Sequence, residues 1–331
     1  MSAVLEVEEL HVAFDLYQRE VHAVADLSFT LNEGETLAVV GESGSGKSQA
    51  FLSLMGLLAR NGRADGRAQF GDVDLLQLRP RQLDQYRGRD IAMIFQDPMT
   101  SLNPSLRIDK QLAEVLVKHK SQSVDQARRN VIEMLERVGI PEPEKRSRAY
   151  PHELSGGMRQ RVMIAMALLC QPKILIADEP TTALDVTVQA QMLKLFEELT
   201  DDFGTSLVII THDLGVVAGL ADRMMVMYAG RAVEFGSVDD LFYDPRHPYT
   251  FGLLHSTTRV ENTGNRLAPI EGLPPSLESL PSGCAFHPRC PFRMDICTED
   301  RPALAARDGG RLSACFYDGE MTRKDLVETE A

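Results

Sequence analysis

No stretch of this 331-residue sequence approaches the roughly 20 consecutive apolar residues that a bilayer-spanning helix needs. The longest candidate, Val162 to Cys170, is about half that and sits inside a helical pattern. The N-terminus carries Glu6, Glu8 and Glu9 with no basic region ahead of an apolar one, so it does not read as a secretory signal. Basic charge is scarce too: 35 Lys and Arg against 48 Asp and Glu leave a net charge of −13. That argues against a nucleic-acid binder, which shows a basic footprint, and against adhesion to anionic lipid by charge alone. Internal repeats, low-complexity tracts and a heptad insertion are also missing. The expectation is a chain that stays in the cytosol and is held at any membrane by other chains.

What is present is an ordinary globular composition, 44% hydrophobic and 25% charged, sufficient for a sizeable core. From about Val4 to Ser237 short β-branched apolar runs alternate with longer helical stretches, which predicts an α/β domain with a largely parallel sheet. Thr36 to Val40, Ile91 to Phe95, Ile174 to Ala177 and Leu207 to Ile210 read as buried strands ending in polar residues. Open α/β sheets bind ligands beyond such strand ends. Between Asp97 and Gln171 no strand is legible, and the stretches Val124 to Val138 and Gly157 to Cys170 predict an inserted helical subdomain. Past Ser237, prolines from Pro245 to Pro288 punctuate a loop-rich tail. The predicted division is an α/β domain over 1–240, with its helical part at about 97–171, and an extension over 241–331.

Gly41 to Ser48 reads GESGSGKS, a full match to G-x-x-x-x-G-K-[ST], lying between a strand and a helix. Gly41, Gly44 and Gly46 let the backbone turn its N–H groups inward around phosphates, and the following helix start adds its positive dipole end. Lys47 can reach the β- and γ-phosphates and the Ser48 hydroxyl can ligate Mg²⁺. Ile174 to Glu179 reads ILIADE, an apolar strand ending in two carboxylates. With a phosphate loop in the same sheet, Asp178 is expected to hold Mg²⁺ through its water shell and Glu179 to act as general base on the attacking water. Gln96 and His212 end two further strands, where an amide can orient water and an imidazole can face the γ-phosphate. Alone, either is as readily a surface or structural residue.

Leu154 to Arg161, LSGGMRQR, opens an apolar helix. Ser155, Gly156 and Gly157 there offer a second anion-binding surface of hydroxyl and backbone N–H groups. Two phosphate surfaces on one chain are reconciled by a head-to-tail dimer in which this turn closes on ATP held by a neighbour's loop.

These segments together resemble the ABC ATPases. Walker A (Gly41–Ser48), Q-loop (Gln96), signature (Leu154–Met158), Walker B (Ile174–Glu179), D-loop (Ala183-Leu184-Asp185) and H-loop (His212) follow the family's order. Met158 stands where Gln is usual, a variant common among peptide-importer subunits. FQDPMTSLNP (Phe95–Pro104), DEPTTALDVTVQAQ (Asp178–Gln191), His247-Pro248-Tyr249-Thr250 and the cysteine-rich tail narrow the resemblance to oligopeptide/dipeptide importer ATPases. The resemblance implies a P-loop NTPase fold with RecA-like core, antiparallel β subdomain, helical subdomain and a cysteine-bearing extension. It implies Mg²⁺-dependent ATP hydrolysis, with nucleotide contacts from Ser43, Ser45 and Gln49 besides the residues above, and from Met158 and Asp185 toward the partner's ATP. An aromatic of the N-terminal hairpin, Tyr17 or Phe14, would stack on adenine. The implied partners are a related second ATP-binding chain, two membrane permeases and an extracytoplasmic substrate-binding protein, with no nucleic acid. The place of work would be the cytoplasmic face of the inner membrane.

Cys170 lies alone in an apolar helix and reads as a core residue. Cys284, Cys290, Cys297 and Cys315 are separated by five, six and seventeen residues, wider than the C-x(2–4)-C pairs from which zinc sites usually start. Four thiolates can instead hold an iron–sulfur cluster, whose spacings vary more, and the resemblance implies a [4Fe–4S] cluster here. Zinc, or reduced thiols without metal, are the alternatives, and His287 is a possible substitute ligand.

Overall fold

The computed structural model describes residues 2–17, 19–96, 101–181, 186–256, 270–307 and 310–322. In chain order, β1 (Ala3–Leu16) and β2 (Arg19–Asn32) precede β3 (Thr36–Val40), helix α1 (Lys47–Leu54), β4 (Gly62–Phe70) and the short β5 (Val73–Asp74). Next come β6 (Ile91–Ile94) and three helices, α2 (Ile108–Lys120), α3 (Val124–Arg137) and α4 (Gly156–Leu168). β7 (Ile174–Asp178), α5 (Val186–Phe203), β8 (Ser206–Thr211) and α6 (Leu214–Leu220) follow. The chain then forms β9 (Arg223–Tyr228), β10 (Arg231–Ser237), α7 (Val238–Tyr243) and α8 (Pro248–Ser256), and ends with the short β11 (Ala305–Ala306) and β12 (Leu312–Ser313). The four strands expected around the polar strand ends are present, with boundaries moved by one residue at most.

These elements form two compact units. One comprises Met1–Leu5, Thr30–Thr36 and Phe70–Ile210; the other comprises Glu6–Phe29, Leu37–Gln69 and Thr211–Ala331.

In the first unit β7 pairs in parallel with β6 (Ile91↔Ile174) and with β8 (Ile174↔Ser206). Every residue of β7 and β8 is buried, the run of apolar residues that a parallel strand covered on both faces requires. The helical part has one more long helix than the sequence pattern suggested, α2, whose Ile108, Leu112, Ala113 and Leu116 are buried at helical spacing. Charged residues at Lys110, Glu114 and Lys118 through Lys120 break the apolar run, which hides this stripe from a casual reading. α3 starts at Ser123, whose hydroxyl accepts the Gln126 N–H at 3.3 Å, and buries Ala127, Val131, Met134 and Leu135 along one face.

In the second unit β3 runs parallel to β9 (Leu37↔Arg223), and β9 turns back antiparallel into β10. The proline-rich tail returns to this sheet, with β12 pairing onto β10 (Phe235↔Leu312) and β11 onto β12. Glu234 of β10 is fully buried, and its carboxylate accepts the backbone N–H groups of Arg246 and His247, pinning the turn that opens α8. His247 is buried as well and its Nδ1 accepts the Tyr249 N–H at 3.1 Å, so the ring is neutral. Burial lowers its pKa to about 3.

Burial also raises the Glu234 pKa from 4.5 to about 7, against the opposing pull of the Arg246 and His247 N–H groups and the Arg311 charge. The folded value lies above the unfolded one. Glu234 therefore contributes stability that is full below pH 4.5 and is lost as pH rises through 7. The shift corresponds to on the order of 3 kcal/mol. Urea unfolding of the wild type and Glu234→Gln at pH 4.5 and pH 8 should show the gap between them changing by that order. A gap that stays constant across the range would exclude this titration.

Candidate functional site

β3 ends at Val40 and the chain enters the glycine-rich loop in a conformation that only glycine accepts. Gly41 has φ 151°, and a Cβ there would sit 2.2 Å from the Met227 carbonyl oxygen. Gly46 has φ 96° and occupies the N-cap of α1, where a Cβ would meet the Ala23 carbonyl oxygen at 2.2 Å. The pattern's first and last glycines are thus demanded by sterics. Lys47, 6% exposed, sends its Nζ back over the loop to the carbonyls of Gly41 (2.7 Å) and Glu42 (2.9 Å). The ammonium is held at the loop's centre by neutral acceptors, which phosphate oxygens can replace with stronger, charge-assisted bonds. Ser45 is buried, Ser43 and Gly44 are exposed, and Ser48 and Gln49 stand half-buried on the first turn of α1. The N-terminal hairpin presents Tyr17 fully exposed, whereas Phe14 packs over Gly62, where a Cβ would lie 2.7 Å from its ring.

In the first unit the carboxyl end of β7 carries the two acids. Asp178 is buried at 6% exposure. Glu179 is half-buried and adopts φ 46°, a left-handed conformation that costs a non-glycine residue on the order of 1 kcal/mol. Its N–H donates to the Ile210 carbonyl at 2.8 Å. Gln96, past the end of β6, donates its Nε2 to Glu179 Oε2 at 2.9 Å. Two residues 83 apart in sequence thus meet, as their places at the ends of adjacent parallel strands require. His212 follows β8 in the second unit and is exposed, and the next residue, Asp213, caps α6 by accepting the Gly215 N–H at 2.8 Å.

The signature turn opens α4. Ser155 is the N-cap, its hydroxyl accepting the Met158 N–H at 3.3 Å. Ser155 and Gly156 are exposed, and Gly157 and Met158 half-exposed. A Cβ on Gly156 would meet nothing within 4 Å, and one on Gly157 only Val188 at 3.8 Å, an ordinary contact. Unlike Gly41 and Gly46, these glycines are not required by the packing of the described chain. Behind the turn the buried Gln160 donates to the Pro180 carbonyl, tying the signature helix to the residue after Glu179. The sequence offered no signal for that contact beyond a polar residue on an apolar face. Asp185 and the rest of the D-loop from Ala183, as well as Asp97 to Thr100, lie outside the described residues.

In the tail, Cys284, Cys290, Cys297 and Cys315 all line one cavity of about 10 Å³, closed by Phe286, Phe292 and Tyr317. Burial raises the thiol pKa of Cys284, of Cys290 to about 12, and of Cys315 to about 11. Among the described residues no group of three or more His, Cys, Asp or Glu is arranged to hold a metal ion. No helix among them is long and apolar enough to cross a membrane.

Residues 24–182 match the family model described as ABC transporter, and residues 233–297 the one described as oligopeptide/dipeptide transporter, C-terminal region. The oligopeptide transport ATP-binding protein OppD of Salmonella typhimurium is 56% identical over 315 residues, 95% of this chain and 94% of that protein. The dipeptide transport ATP-binding protein DppD of Bacillus subtilis is 50% identical over 333 residues, covering 100% and 99%. Among solved structures, a dimeric ATP-binding cassette in a post-hydrolysis state with ADP and Pi has a TM-score of 0.64 at 25% identity, covering 71% of this chain and 98% of that one. The cbiO1 subunit from Clostridium perfringens has a TM-score of 0.62 at 31% identity, covering 74% and 92%.

Proposed function

This chain belongs to the ATP-binding subunits of oligopeptide and dipeptide ABC transporters, and from that premise we propose that it hydrolyses ATP to energise peptide import at the cytoplasmic face of the inner membrane. Its fold is that of an ABC ATPase. The observation that carries the reading is the Gln96–Glu179 contact at 2.9 Å just past the carboxyl ends of β6 and β7, on a chain that also holds a sterically enforced phosphate loop. Residues 1–240 would form the ATPase domain, with a helical part at about 97–171, and 241–331 the importer-type extension.

Lys47 and the N–H groups of Gly44 to Ser48 bind the phosphates, and Tyr17 stacks on the adenine. Glu179 takes a proton from water as that oxygen bonds to the γ-phosphorus and the bond to ADP breaks. Gln96 orients the Glu179 carboxylate, and His212 faces the γ-phosphate. Ser48, Gln96 and Asp178 would hold Mg²⁺ with oxygen donors, the hard set that ion prefers, and when bound the ion would neutralise phosphate charge. The exposed Ser155 and Gly156 and the half-exposed Gly157, with Met158 and Asp185, would close on ATP held by a second, related subunit. Two permeases and an extracytoplasmic binding protein complete the importer, and the net charge of −13 fits no nucleic-acid partner. Different affinities of ATP and ADP for closed and open dimers make the cycle do work.

For the tail the proposal is a [4Fe–4S] cluster on Cys284, Cys290, Cys297 and Cys315. Its support is that all four thiols line one cavity. Since that space admits about one water, loading requires the thiols to lose their protons and move apart. Iron and acid-labile sulfide near four per chain after anaerobic purification would support the cluster, and their absence would leave zinc or free thiols.

Gly157→Asp tests the shared site. The fold accommodates a side chain there, so ATP binding to the isolated chain should stay within about twofold. In the assembled transporter a carboxylate facing the neighbour's phosphates should lower ATPase activity by about tenfold or more. Equal loss in both assays would contradict a role at the neighbour's ATP. Purification from native membranes should bring down the permeases and a second ATPase, and the complex in vesicles should take up labelled peptide only with ATP. A complex that hydrolyses ATP without moving peptide would overturn the substrate assignment.

A further inference from the structure

Glu42 is the second residue of the phosphate loop, a position its sequence pattern leaves free, yet every polar group it has is engaged. Its carbonyl accepts Lys47 Nζ at 2.9 Å and the Ser45 N–H at 3.2 Å. Its own N–H donates to the hydroxyl of Tyr249 at 2.8 Å. Its carboxylate is gripped from two sides by Arg289, at 2.7 Å through Nη1 and 2.9 Å through Nη2. The two outer partners come from the tail, 207 and 247 residues away in the chain.

Arg289 is built into this position. Its side chain is 6% exposed. Besides Glu42, its N–H groups reach the Tyr228 hydroxyl (3.3 Å), the Ile270 carbonyl (3.4 Å) and, through Nε, the Glu271 carbonyl (3.0 Å), so all five guanidinium donors have acceptors. Burial works against its charge, but the bonds to Glu42 and Tyr228 outweigh that and raise its pKa above the ordinary arginine value. Tyr249 is fully buried, with ring centroids 4.5 Å from Tyr228 and 5.4 Å from Phe286. Phe286 and Arg289 sit between Cys284 and Cys290. That short segment is closed by the Cys284 N–H on the Cys297 carbonyl at 2.9 Å. A buried, fully satisfied arginine that grips a glycine-rich loop bidentately is an arrangement for holding shape.

We propose that Arg289 is a positioning residue for ATP binding: it fixes Glu42, and through it the curvature of the phosphate loop that presents Lys47 and the inward N–H groups to nucleotide. The cysteine-bearing tail is then part of the ATP site and not only a separate module appended to it. The inference rests on the ATPase reading above and goes beyond it, because Arg289 touches no nucleotide and acts through Glu42.

The test uses the full-length chain, with ATP affinity from a fluorescent analogue and steady-state kinetics in the assembled transporter. Arg289→Ala should weaken ATP binding and raise KM for ATP by about tenfold, with kcat within about twofold, since the chemistry at Glu179 is left intact. Arg289→Lys, which keeps the charge but not the fork, should recover part of the loss. Because the pair acts as one unit, Arg289→Ala/Glu42→Gln should be clearly weaker in effect than the product of the single changes. Tyr249→Phe, which removes only the hydroxyl that accepts from Glu42, should shift KM in the same direction and serves if Arg289→Ala does not fold. Wild-type affinity in a folded Arg289→Ala protein, multiplicative effects, or loss confined to kcat would each overturn the clamp. A wild-type chain that binds no ATP would instead overturn the ATPase reading and the clamp with it.

Discussion

Replacing Lys47 with alanine should weaken ATP binding by about 100-fold or more, the loss expected when a charge-assisted contact to two phosphates is removed. Lys47 is buried and lies on the loop's own carbonyls, those of Gly41 and Glu42. The substitution therefore also strips the Gly41 carbonyl of its Lys47 donor, while the Glu42 carbonyl keeps the Ser45 N–H, and an acceptor left so costs the fold about 1–3 kcal/mol. The two effects separate cleanly. Calorimetric titration with ATP reads the first, and thermal unfolding without nucleotide reads the second. An affinity within about threefold of wild type would show that phosphate recognition rests on the backbone N–H groups alone.

Glu179→Gln should leave ATP binding near wild type and lower turnover by at least about 100-fold, the contribution typical of a positioned general base. The isostere suits this site. The Gln96 Nε2 that donates to Glu179 Oε2 at 2.9 Å finds an amide carbonyl in its place, so the strand-end geometry is kept while the proton acceptor is lost. The left-handed backbone at φ 46° treats glutamine and glutamate alike. Normal turnover of the variant in the assembled transporter would remove Glu179 from the role of base. A variant that fails to bind ATP would point to Glu179 as a structural partner of Gln96.

The phosphate loop could be read from its letters because its requirements are local. Gly41 and Gly46 answer to contacts within a few ångströms, and a strand must precede and a helix follow. The same holds for β6, β7 and β8, whose unbroken apolar runs allow no other burial. The pairing of Gln96 with Glu179 was half legible, since each was visible as a polar residue ending a buried strand, but their adjacency depends on which strands neighbour one another. Gln160 was not legible at all. A glutamine on an apolar helix face looks like solvent exposure until the Pro180 carbonyl is seen beneath it. The extra helix α2 escaped because its buried stripe is interleaved with lysines and glutamate that point elsewhere.

The tail shows the same division most sharply. Its cysteines announced themselves by clustering in the chain, and its prolines marked it as irregular. Nothing in their spacing told that β12 joins the sheet beside β10, or that Arg289, between two of those cysteines, grips the phosphate loop.

By itself, the sequence set out the expected nucleotide chemistry, namely which residues would cradle phosphate and which carboxylate would serve as base, and it encodes no helix long and apolar enough to cross a membrane among the described residues. These follow from short-range sterics and from hydrophobic periodicity, which act over a few residues and leave a local signature. Only the tertiary structure decided that Glu42, Tyr249 and Arg289 form one unit. Their contacts close loops of more than 200 residues, and over such separations side-chain identity carries no trace of its partner until the whole chain has packed.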